Sequence, residues 1–123
     1  MTNSEILRKM KKIYYPEGSE YLDWMGFKIT DSNIRTYHHI VKKVVLNEEN
    51  KDYTPTISNG AYLSKKSHEL LHRIEQRDKD LYEEWNRIFS LIVEIGTYPP
   101  DDVWNMIFEL QEKSLELDKN KIR

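Results

Sequence analysis

The chain contains no cysteine, which excludes disulfides and thiolate metal sites and leaves imidazole and carboxylate to hold any metal. No apolar run approaches the length that spans a bilayer, and Met1–Glu5 shows no basic and apolar signal pattern, so a cytoplasmic protein without membrane contact is expected. A charge surplus is missing too. Nineteen Lys and Arg against 21 Asp and Glu give a net −2, so no global basic field holds nucleic acid, and any phosphate contact must come from a local cluster. Neither repeats nor low-complexity tracts occur. At 123 residues the chain fits one domain with a modest core and has no room for a separate DNA-reading module.

What the chain does have is aromatic content: eight Tyr, three Trp and three Phe among 33% charged residues, more than a disordered chain of that charge carries, so a soluble globular domain is expected. Ser4 is placed to cap a first helix with Glu5 in its opening turn, and Ile6, Met10 and Ile13 recur at helical spacing as far as Tyr14. Its residues Arg8, Lys9, Lys11 and Lys12 read as a solvated face. After the turn Pro16–Ser19, the aromatic-rich stretch Tyr21, Leu22, Trp24, Met25 and Phe27 reads as core packing.

Ile34 to Leu46 is β-branched and reads as a strand followed by a second extended or irregular piece, and Asn47 to Thr56 as a loop. Thr56–Ser58 and Ala61–Leu63 read as another short extended piece, with an Asn59-Gly60 step suited to positive φ. Ser64 caps a helix to about Arg77, Asp78 or Asp80 opens another that stops at Gly96, and Asp101-Asp102 opens the last. Trp85, Phe89, Trp104 and Phe108 read as packing between these helices and the rest.

All four histidines fall between Thr36 and His72. His68 and His72, at i and i+4, share one helix face and can grip one metal, while the strand with His38 and His39 can supply a third imidazole. Strand alternation lets only one of that pair face the helix unless the strand twists or bulges. An imidazole set favours zinc, or nickel and its neighbours, over magnesium and calcium.

The order His38-His39, Asn59, His68, His72, with nine positions from Asn59 to His68 and four from His68 to His72, resembles the HNH (ββα-metal, His-Me finger) endonuclease motif. The likeness is to the double-histidine form found in DNase colicins and phage HNH proteins, and it covers about Thr36 to Ile74. It implies an α+β fold in one domain, 1–123, with a ββα-metal unit at 36–77 flanked by an N-terminal helix and two C-terminal helices. It further implies hydrolysis of DNA phosphodiester bonds. In that scheme His38, His68 and His72 hold one divalent metal, zinc first, with nickel, manganese or magnesium as alternatives. His39 is the base that activates water, and Asn59 orients His39.

DNA is the implied partner, with a phage or assembly protein as a second one, and the host cytoplasm is the implied location if the gene is phage-borne. Arg35, Lys42, Lys43, Lys65, Lys66 and Arg73 bracket the motif and form a candidate phosphate-contacting rim, although each alone reads as a surface cation. Many family members follow the histidine pair with a proline and a Gly-rich loop. Here Ile40–Val45 contains neither, and the next glycine is Gly60.

Two other functions compete. His68-Glu69-Leu70-Leu71-His72 also satisfies HExxH, the zinc metalloprotease pattern, with Glu69 as base and Glu94 as a third ligand. That reading leaves His38, His39 and Asn59 without a role. The third candidate is a catalytically silent HNH-fold binding protein, such as a phage inhibitor or assembly component, since a fold does not fix a function.

Overall fold

The first helix, α1 (Asn3–Tyr14), begins two residues earlier than the sequence predicts. Thr2, not Ser4, is its cap: the Thr2 hydroxyl accepts from Glu5 N at 3.2 Å while the Glu5 carboxylate accepts from Thr2 N at 3.3 Å. This reciprocal pair needs an acid three residues after the capping residue, a spacing that Thr2 has and Ser4 lacks. The buried stripe is Ile6, Leu7, Met10 and Tyr14. Ile13 lies at its edge and is 38% exposed.

A computed structural model describes residues 2–41 and 56–119. Within them the chain is α+β, with four helices and a two-stranded antiparallel sheet. Strand β1 (Arg35–His39) pairs with β2 (Gly60–Ser64) so that Tyr37 faces Tyr62, His38 faces Ala61 and His39 faces Gly60. The strand expected in the first part of Ile34 to Leu46 is β1, which ends at His39. The remainder of that stretch beyond Val41, and the expected loop up to Pro55, lie outside the described residues.

A 3-10 turn at Ile57–Asn59, in place of the expected extended piece, leads into β2. Gly60 has φ −109°, not a positive φ. Its glycine is required by space, because a Cβ there would run into the Tyr37 ring. Thus the Asn-Gly step is a close-approach site.

Helix α2 (Lys65–Arg77) starts at Ser64, whose hydroxyl accepts from Ser67 N, and turns Leu70, Leu71 and Ile74 inward. Asp78 caps α3 (Lys79–Ile95), which Gly96 ends at φ 75°. Helix α4 (Asp101–Lys119) carries Asp101 and Asp102 in its first turn, where carboxylates meet the positive end of the helix. All three follow the sequence reading. One contiguous core draws on every helix and both strands, and Trp24, Trp85 and Phe89 are fully buried within it. Of the four aromatics assigned to helix packing, Phe108 differs: it lies against Trp104 and remains 42% exposed.

Two strands alone do not make a stable sheet in water. Here both faces are covered. Thr36, His38 and their cross-strand partners face α2 and α3, whereas Tyr37 and Tyr62 face the other way, where the Tyr15 and Tyr21 rings pack on Tyr62 at 5.1 and 6.1 Å.

Asp23, fully buried, joins the N-terminal half to this sheet. Its carboxylate accepts from Met25 N (2.9 Å), Phe27 N (2.9 Å), Ser64 N (2.8 Å) and the Ser67 hydroxyl, so one side chain shapes its own loop and anchors the start of α2. No helix among the described residues is long and apolar enough to cross a membrane.

Candidate functional site

The end of β1 and one face of α2 enclose a depression of about 280 Å³ lined by His38, His39, His68, His72, Glu75 and Tyr82, among others. All four histidines singled out from the sequence therefore come to one place. Helical spacing explains His68, His72 and Glu75, which follow one another at i, i+4 and i+7 along α2. Glu75 was missed at the sequence level, although its spacing made it legible.

Strand alternation separates His38 from His39. The His39 ring packs edge-on against Tyr37 at 4.8 Å, while His38 points into the protein toward His68 (5.8 Å), Phe89 (5.7 Å) and Tyr82 (6.3 Å). Because β1 ends at His39, both rings still line the depression.

His68 has a defined tautomer. The Thr36 hydroxyl donates its only proton to the Leu63 carbonyl at 2.9 Å, so at 2.9 Å from His68 Nδ1 it can only accept. Nδ1 therefore carries the hydrogen, and the lone pair resides on Nε2. This is the support by which a metal-binding histidine is commonly held. Burial, followed by the charge of His72, moves the His68 pKa below the usual histidine value against the pull of Glu69.

His38 is held differently. Its Nε2 lies 3.0 Å from Asn86 Oδ1 of α3, an oxygen that can only accept. Burial pushes its pKa down to about 4, with the Asn86 bond opposing, so the ring is neutral at pH 7. His72 lies outermost, with its side chain 68% exposed, Nδ1 3.8 Å from the Glu75 carboxylate and Nε2 3.3 Å from the Gln76 amide nitrogen.

Asn59 acts on the backbone directly after the histidine pair. Its amide oxygen accepts from Val41 N at 2.9 Å, its amide nitrogen donates to Val41 O at 3.0 Å, and its own carbonyl accepts from Ile40 N at 2.9 Å. The exit from β1 is thereby clamped two residues after His39.

Among the described residues, no member of the candidate rim lines this depression. Arg35 donates to the Tyr62 hydroxyl at 3.1 Å on the opposite sheet face, and Arg73 is paired through two bonds with Asp118, at 2.9 and 3.1 Å. Lys66 sits 4.7 Å over the Phe27 ring, and Lys65 is exposed on the first turn of α2. Lys42 and Lys43 lie outside the described residues. The residues of the protease reading are dispersed as well: Glu69 is exposed, and Glu94 lines a separate groove of about 830 Å³ between α3 and α4.

Among the described residues, no three His, Asp or Glu side chains are gathered closely enough to hold a metal ion as they stand. The donor set itself suits a borderline metal such as zinc: neutral imidazoles, one with its Nε2 lone pair uncommitted to Thr36, and a carboxylate beside them. His72 is exposed enough to turn without disturbing the core. No family model, no curated protein and no solved structure matches the chain.

Proposed function

We propose that the chain is a metal-dependent endonuclease of the HNH type that hydrolyses phosphodiester bonds in DNA. The observation that carries this reading is the convergence of His38, His39, His68 and His72 on one depression, with His68 already set in a ligand tautomer by Thr36. His38, His68 and His72 are the residues assigned to hold a divalent metal, zinc first. When bound, that metal supplies charge stabilisation for the phosphoryl oxygens and the leaving 3′ oxygen.

The chain's own groups do the rest. His39, on the other strand face from His38, is the general base that takes a proton from the attacking water, a task for which the imidazole side chain is the common choice. Asn59 is a positioning residue, fixing the backbone from which His39 projects. Arg35 and Arg73 are already engaged with Tyr62 and Asp118, so phosphate contact is assigned to the other cations of the candidate rim, Lys42, Lys43, Lys65 and Lys66.

The test is metal content of the purified protein followed by supercoiled-plasmid nicking with zinc, nickel, manganese or magnesium. His39→Ala is expected to abolish nicking while keeping the metal, and Glu69→Ala to nick nearly as wild type does. An essential Glu69 beside a dispensable His39 would instead indicate the HExxH protease. The engagement of Arg35 and Arg73 away from the depression supports a second reading, a catalytically silent binding protein on the same scaffold. Bound metal with no cleavage in any variant would favour it, or the protease, over the endonuclease.

A further inference from the structure

We propose that Asn86 is a positioning residue for His38, fixing its ring with Nε2–H turned toward α3 and so selecting Nδ1 as the nitrogen available to a metal. The ligand half of this inference rests on the reading of His38 given above; the orientation half stands on geometry alone. Asn86 lies 48 residues from His38, and no motif includes it. Its Oδ1 is 3.0 Å from His38 Nε2, and His38 is only 8% exposed, so water offers that nitrogen little competition.

The chemistry of the two partners determines the tautomer. An amide oxygen has no proton to give, so the imidazole must donate, and a neutral imidazole that donates from Nε2 keeps its lone pair on Nδ1. The Phe89, Tyr82 and His68 rings stand around His38 at 5.7, 6.3 and 5.8 Å and restrict its rotation. His68 is fixed in the opposite sense, hydrogen on Nδ1 and lone pair on Nε2, by Thr36 of β1. The two histidines are thus locked in complementary tautomers by different elements. Removal of such a support from a metal-binding histidine typically weakens metal affinity 10- to 100-fold.

The experiment begins with the metal-free wild-type protein near neutral pH, using long-range ¹H–¹⁵N correlation spectra of the imidazoles. His38 is expected as the Nε2–H tautomer and His68 as the Nδ1–H tautomer. Zinc affinity is then measured by competition with a chelating dye. Asn86→Ala is expected to lose the fixed His38 tautomer and to bind zinc at least about tenfold more weakly. Asn86→Asp, which retains an acceptor, is expected to restore both, a rescue that a merely structural role would not give.

An Nδ1–H tautomer for His38 in wild type, or unchanged zinc affinity in Asn86→Ala, overturns the proposal. The wild-type spectrum needs no variant, so the orientation half is decided even if Asn86→Ala fails to fold. Wild-type protein that takes up no zinc overturns the ligand half together with the reading beneath it. The His38 tautomer then separates that failure from a failure of Asn86 to hold the ring.

Discussion

Thr36 Oγ1 stands 2.9 Å from His68 Nδ1, and its proton is already committed to the Leu63 carbonyl. Thr36→Val retains the β-branched shape but removes the acceptor, so His68 is no longer restricted to one tautomer. Zinc affinity measured by dye competition should fall about tenfold, and Thr36→Ser should restore it.

Acid should weaken the metal-free protein through His38. Its pKa is lowered from 6.5 to about 4 in the folded chain, chiefly by burial, so between those values the unfolded chain binds a proton that the folded chain refuses. Stability therefore rises with pH across that window and is lost on acidification from about 6.5 toward 4, by on the order of 3 kcal/mol for this group. The lowered pKa of His68 acts with the same sign. Urea unfolding at several pH values checks this, and His38→Gln should flatten the dependence.

Gly60→Ala tests packing rather than backbone freedom. With φ at −109° any residue is allowed, but the added methyl meets the Tyr37 ring, so a loss of about 1–3 kcal/mol is expected in denaturant unfolding. Combining it with Tyr37→Leu should recover part of the loss. Equal stability of Gly60→Ala and wild type would contradict the steric account.

Asp23→Asn replaces a buried carboxylate that receives four donors with an amide that must turn an NH₂ toward some of them. A loss of about 3 kcal/mol or more is expected, since hydrogen bonds to charged groups are the stronger kind and the mismatch leaves buried donors unsatisfied. Hydrogen exchange should show it as loosening of residues 21–27 and of the first turn of α2.

Local signals in the sequence located α2, α3 and α4, because Ser64, Asp78 and Gly96 are side-chain or backbone punctuation readable without a partner. The histidine cluster was legible for a similar reason: i, i+4 spacing and strand order are local properties. Asn86, Thr36 and Asp23 were not, since what they touch is 48, 32 and up to 44 residues away. The partners of the cationic residues were illegible on the same ground. A sequence shows that Arg73 is basic, but only the packing of α4 on α2 shows that Asp118 occupies it. At Gly60 the residue was recognised and its reason was not, because a glycine needed for space and one needed for φ look alike until Tyr37 is placed.

The interval 36–77, for all that it contains every histidine, is fastened from outside at many points. Asp23 grips its helix start from before, while Asn86 and Asp118 hold His38 and Arg73 from after. Such a stretch is no portable cassette. Cut out as a peptide, or grafted onto another scaffold by recombination, it would carry its imidazoles but leave behind Asn86, which holds His38. Any transplant of this chemistry would have to take the flanking helices as cargo.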